Sequence, residues 1–171
     1  MPEIIGKMKE IVQKNLEIKI YIFLSKAAQQ VIGWYGLSKD LETISKKIFY
    51  EVDSNTTKPY YYLPGALQLG KFKFFLICPA TANSVAKIVC GIADTLITNA
   101  AAQAAKTDTP IYIFPVDHEA GSQTTMLPDG SGLKLTMREI DLENTRRLST
   151  MRNFRVFTST SMLEDLMSNQ P

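Results

Sequence analysis

Residues 78–106 read CPATANSVAKIVCGIADTLITNAAAQAAK, and this stretch decides the fold. The residues just before it, Phe74-Phe75-Leu76-Ile77, form an apolar β-prone run that stops at Pro79. A short segment of small and hydroxylated residues follows, and then alanine-rich helical sequence. A buried strand that turns straight into a helix is the unit of an open α/β sheet. Such sheets bind ligands outside the carboxyl ends of their strands. Backbone N–H groups at the start of the helix, with the hydroxyls of Thr81 and Ser84 and the amide of Asn83, would converge there. The alternative for the same residues is a plain strand-to-helix turn capped by Thr81 or Asn83.

The rest of the chain extends this pattern. Ile4, Ile5, Met8, Ile11 and Val12 recur at helical spacing, so Pro2 to Asn15 reads as a helix. Leu16 to Leu24 reads as a central or near-central strand, followed by Ser25 and a helix from Lys26 to Ile32. Leu41 to Ile48 suits a short helix. Glu51 to Gly70 is polar and then tyrosine-rich, broken by Pro59, Pro64 and Gly65. Phe72 to Cys78 is the next strand, and helices cover Asn83 to Cys90 and Asp94 to Lys106. Ile111 to Phe114 is a short buried strand. Val116 to Gly132, rich in glycine and hydroxyls, reads as a long loop of the kind that often carries function. Asp141 suits the N-cap of a helix from Leu142 to Met151. An edge strand over Phe154 to Phe157 and a helix over Ser161 to Met167 close the chain. Strands alternating with helices predict an α/β fold, a mainly parallel sheet with helices on both faces. One domain over residues 1–171 is expected, with Trp34 and Tyr35 in its core.

Composition excludes several classes of function. The net charge is only +2, and the basic residues are scattered, so no nucleic-acid surface is expected. No apolar run reaches the ~20 residues needed to cross a bilayer, and the start does not resemble a signal peptide. A cytoplasmic location is therefore expected. Cys78 and Cys90 read as reduced thiols, and with the single His118 they are too few for a metal centre or iron–sulfur cluster. Tyr60-Tyr61-Tyr62 suits either aromatic stacking or ordinary packing.

Three pieces of sequence carry a resemblance to a known family. They are Pro79-Ala80-Thr81-Ala82-Asn83-Ser84, then Lys87, then Gly91-Ile92-Ala93-Asp94-Thr95-Leu96. Together they resemble the Pro-Ala-Ser-Ala-Asn-Thr and Gly-x-Ala-Asp-x-Leu motifs of the homo-oligomeric flavin-containing cysteine decarboxylase superfamily, with hydroxyls preserved at both exchanged positions. Within it, the run through Ala104, Leu127-Pro128-Asp129-Gly130, Arg138 to Asn144 and Phe23 to Ala27 is similar to archaeal flavoproteins of the archaeoflavoprotein and dihydromethanopterin reductase (acceptor) type. The Pro-x-Met-Asn-x-x-Met-Trp substrate motif of the decarboxylases is not found in this sequence.

The resemblance implies a Rossmann-like three-layer sandwich that binds FMN. It places the FMN phosphate on the hydroxyl of Ser25 and the isoalloxazine against Pro79, Ala80, Thr81, Ala82, Asn83 and Ser84. It adds Asn99 as a polar contact to the flavin or its phosphate. It implies a trimer-based homo-oligomer with the flavin at a subunit interface. A pterin substrate follows, with Asp117 and His118 on the substrate side of the flavin. A carboxylate there can accept two donors of an amino-pyrimidine edge, and an imidazole can supply a proton. Electrons are expected from a separate ferredoxin, which Arg138, Arg146, Arg147, Arg152 and Arg155 would meet. The bland alternatives are a helix N-cap for Ser25, a solvated loop for Asp117 and His118, and a solvated helix face for the arginines. The family's first strand and its phosphate loop have no counterpart before Pro2, so the natural product is expected to begin upstream. A flavin-dependent decarboxylase or prenyltransferase and a non-catalytic flavin-binding protein are the competing functions.

Overall fold

The computed structural model describes residues 1–15, 17–51 and 62–168. The elements in chain order are α1 (Pro2–Lys14), β1 (Ile22–Leu24), α2 (Lys26–Trp34), α3 (Ser38–Ile44), β2 (Ile48–Tyr50), α4 (Tyr62–Gln68), β3 (Phe75–Ala80), α5 (Ala82–Val89), α6 (Leu96–Ala104), β4 (Ile111–Pro115), β5 (Ser122–Met126), β6 (Gly132–Thr136), α7 (Glu139–Thr150), β7 (Phe154–Val156) and α8 (Met162–Ser168). The fold is α/β and Rossmann-like, with parallel pairing everywhere except between β5 and β6. The chain forms two compact units, Met1–Leu63 with Ser159–Pro171, and Pro64–Thr158.

In the first unit β1 and β2 pair in parallel, Ile22 beside Ile48 and Leu24 beside Tyr50. Ile5 of α1, Leu24, Ile32 of α2 and Leu37, Leu41 and Ile44 form a buried cluster, with Ile22 and Ile48 of the pair packed against it. Burying aliphatic side chains of this size contributes about 1.5–3 kcal/mol each. Helix α8 is tied to α1 by Glu164, which accepts from Lys7 Nζ at 2.8 Å and Lys14 Nζ at 2.7 Å.

In the second unit the parallel order is β3–β4–β7. Buried residues alternate along β3 and β4, with Phe75 beside Ile111 and Ile77 beside Ile113. The pairing slips between Ile77 and Ala80, where the Cys78–Pro79 peptide is cis. Beyond the slip Ala80 pairs with Pro115, and the Val116 N–H donates to Ala80 O at 3.0 Å. The carboxyl ends of β3 and β4 are thereby held side by side.

Several expectations change. The strand expected over Leu16 to Leu24 is confined to Ile22–Leu24, and residue 16 lies outside the described residues. The helix expected over Leu41 to Ile48 is instead α3 followed by a strand, β2. The long loop from Val116 contains a hairpin, β5 against β6, whose residues are almost all exposed. Helix α7 starts at Glu139 behind Arg138, not behind Asp141. Asp141 is buried and takes a bidentate ion pair from Arg138, 2.7 Å on each oxygen, so its carboxylate is used by a guanidinium instead of by backbone N–H groups. Trp34 is 66% exposed, because it ends α2 on the side away from the core.

Candidate functional site

The turn after β3 is built by its own hydroxyl. Thr81 takes an extended backbone and its Oγ1 accepts from the Ser84 N–H at 3.4 Å, so Thr81, not Asn83, is the N-cap of α5. The first two helical N–H groups, of Ala82 and Asn83, have no intrahelical acceptor. Asn83 is exposed, and among the described residues its amide makes no hydrogen bond. The result is a rim of backbone donors, one amide and small side chains at the positive end of a helix. Ala80 beneath it is buried and offers no bulk.

Asp117 and His118 follow β4 and reach the same end of the sheet. The Asp117 carbonyl accepts weakly from Thr145 Oγ1 at 3.5 Å. The Arg138 guanidinium is held well in its charged form, chiefly by its hydrogen bonds to Asp141, with a smaller pull from Asp117. His118 Nδ1 lies 2.9 Å from Pro115 O, a contact that requires the proton on Nδ1 and leaves Nε2 as the acceptor of a neutral ring. Its ring packs near Phe114 and lines a recess of about 240 Å3 together with Leu142, Thr145, Arg146, Ser149 and Val156. Residues 79–84 do not line that recess. The fold therefore brings Asp117 and His118 to the β3 turn through the backbone, while the His118 ring is committed to α7 and β7.

The arginines expected to meet a carrier are largely engaged. Arg146 is paired with Glu139 and Glu143, Arg152 with Asp108, and Arg155 lies over the Tyr112 ring. The Gly91-Ile92-Ala93-Asp94 segment is a tight link between α5 and α6. Gly91 sits at φ +73, where a side chain is strained, and Lys87 Nζ closes the link on Asp94 Oδ2 at 2.7 Å. That hydrogen bond from Lys87 lowers the Asp94 carboxyl below its ordinary range. The pairing of these two motif residues was not anticipated from sequence, although their spacing across a helix end with a glycine was visible. Asn99 is half-buried in α6, and its Oδ1 accepts from Gln103 Nε2 at 3.4 Å.

Ser25, in the first unit, caps α2. Its Oγ accepts from the Ala28 N–H at 3.1 Å, which leaves its own hydrogen to donate elsewhere. A residue that sequence reasoning missed stands beside it. Glu51, at the end of β2, accepts the Lys26 N–H on Oε2 at 3.0 Å. Its backbone is fixed by Gln29 Nε2 on its carbonyl at 2.9 Å and by its own N–H on Leu24 O at 2.8 Å. The only advance signal was an acidic residue at the end of a β-prone triplet.

Tyr60 and Tyr61 lie outside the described residues. Among the described residues no group of three or more potential metal ligands comes together, and no helix is long and apolar enough to cross a membrane. Both cysteines are free thiols.

Comparison with known proteins places the chain in a family. The sequence matches the Flavoprotein family over residues 2–168. It is 44% identical to an uncharacterized protein of Methanocaldococcus jannaschii over 98% of this chain and 87% of that protein. It is 39% identical to the dihydromethanopterin reductase (acceptor) of the same organism over 79% of this chain, spanning 57% of the reductase. The crystal structure of Burkholderia xenovorans DmrB with FMN, described as a cubic protein cage for redox transfer, is 30% identical, with a TM-score of 0.74 over 93% of this chain and 85% of that one.

Proposed function

The chain belongs to the flavoprotein family, and from that premise we propose that it is an FMN-dependent oxidoreductase that takes electrons from a ferredoxin-type carrier and reduces dihydromethanopterin or a related pterin. The observation that carries the proposal is the turn after β3, with its two open N–H groups, free Asn83 amide and small side chains. It stands in a chain 39% identical to a dihydromethanopterin reductase (acceptor). This donor set fits the electron-rich edge of an isoalloxazine, and the Ser25 hydroxyl fits a phosphate oxygen as a donor. Bound FMN would supply the redox chemistry, and the protein would position it and tune its electronics.

The chain's own residues then take separate tasks. Pro79, Ala80 and Ala82 let a flat ring approach the backbone. Ala82 and Asn83 N–H groups and the Asn83 amide orient it, with Thr81 and Ser84 holding the turn. Asn99 supplies a further polar contact. Asp117 accepts the paired donors of the pterin's amino-pyrimidine edge. His118 fixes the turn that carries Asp117, its Nδ1–H donating to Pro115 O while its ring lines the recess against α7 and β7. A trimer-based homo-oligomer completes the proposal.

The test is an absorbance spectrum of protein loaded with FMN, before and after anaerobic addition of reduced ferredoxin, followed by dihydromethanopterin. Bleaching of the flavin bands and their return on adding the pterin is the expected result. Bands that stay unchanged with ferredoxin overturn the electron-donor assignment, and bleached bands that the pterin does not restore overturn the substrate. In the Asp117→Asn variant the KM for the pterin should rise by about tenfold or more, the loss of charge-assisted hydrogen bonds. Full activity would remove Asp117 from the site.

A further inference from the structure

The amino end of α2 already carries an anion, and it is the chain's own. In this nine-residue helix the Ala28 N–H is taken by the Ser25 hydroxyl and the Gln29 N–H by the Ser25 carbonyl. The Lys26 N–H, the first of the helix, points at the Glu51 carboxylate at 3.0 Å. A carboxylate in hydrogen-bond contact with a first-turn N–H sits where helix geometry and dipole favour a phosphate. Two anions cannot share that N–H at full charge without strong repulsion.

We propose that Glu51 is an internal competitor for the cofactor's phosphate and sets the site's preference between flavins with and without that group. The inference rests on the reading that the phosphate of FMN is held at Ser25. An incoming phosphate displaces the Glu51 carboxylate from the Lys26 N–H and accepts from that N–H and from the Ser25 hydroxyl. The Glu51 backbone is pinned on both sides, by Gln29 Nε2 on its carbonyl and by its N–H on Leu24 O. Riboflavin, which ends in a neutral hydroxyl, leaves Glu51 in place and can donate to it. Glu51 thus penalises the phosphorylated flavin selectively, and removing its charge should release that penalty.

The experiment measures the affinities of the full chain and of Glu51→Gln, Glu51→Ala and Ser25→Ala for FMN and for riboflavin, by quenching of flavin fluorescence. Both Glu51 variants should bind FMN about tenfold more tightly, the size expected for one like charge removed near a protein surface. Neither should bind riboflavin more tightly, and Ser25→Ala should weaken FMN alone. Equal changes for the two flavins would mean a general effect on the fold of this unit and would overturn the competitor role. Unchanged FMN affinity in the Glu51 variants, with a loss in Ser25→Ala, would overturn it while leaving the phosphate at Ser25. Unchanged affinity in all three variants would place the phosphate elsewhere and overturn both. A chain that binds neither flavin would defeat the FMN reading itself, and this inference with it.

Discussion

Cys78 and Cys90 are chemically equivalent on paper, and their surroundings separate them. Cys78 lies in β3, where burial pushes its thiol up to about 12, so almost none is thiolate near neutral pH. Cys90 caps the end of α5 and is exposed. A disulfide-exchange reagent at neutral pH should therefore label one thiol in the native protein and both after unfolding. The Cys90→Ser variant should show no fast-reacting thiol, and a fast phase that survives would place Cys78 at the surface. Other single residues were partly legible. A side-chain cap at the β3 turn, by Thr81 or Asn83, was expected, and only the backbone geometry selects Thr81. Ser25 as a cap was readable from its place between strand and helix. The Glu51 carboxylate was not, because residues 26 and 51 meet only when β1 and β2 pair.

At the scale of elements, short and polar segments were the hard ones. Strand β2 has three residues, too few for a period to show; its first, Ile48, reads as the end of the preceding helix and the other two are unassigned by sequence. The β5–β6 hairpin exposes both faces, so it lacks the alternation that marks a half-buried strand. Helix α7 was found, but its start shifted because Asp141 pairs with Arg138. The exposed hairpin should be replaceable in composition at little cost. Met126→Ser together with Leu135→Ser should move the urea midpoint by less than the equivalent of about 1 kcal/mol, as for exposed positions generally. The α1–α8 clasp gives a pH prediction. Hydrogen bonds from Lys14 and then Lys7 lower the Glu164 carboxyl from 4.5 to about 2. A group depressed in the folded state stabilises above its unfolded value and loses that contribution as pH falls through its folded one. The urea midpoint of the wild type should therefore exceed that of Glu164→Gln above pH 4.5, and the gap should close as pH approaches 2. A gap that persists at the acid end would mean that the carboxylate is not what holds α8.

At the scale of the molecule, both units carry large apolar side chains in solvent. Trp34 is 66% exposed in the first, and Leu69 and Ile140 are 72% and 56% exposed in the second. Light scattering after gel filtration should give a mass above that of one chain if the proposed trimer-based homo-oligomer forms, and the mass of a single chain would remove that assembly. By itself the sequence determined the α/β class, the strand and turn at residues 74–84, and the flavoprotein likeness. Each rests on local pattern, such as an apolar run, a breaking proline, a helical period or a contiguous motif. Only the tertiary structure decided that the Ala80 and Pro115 ends lie side by side, that the His118 ring turns into a recess against α7, and that Glu51 occupies the amino end of α2. Those are juxtapositions of residues distant in the chain, set by strand pairing and helix packing, and no local pattern encodes them.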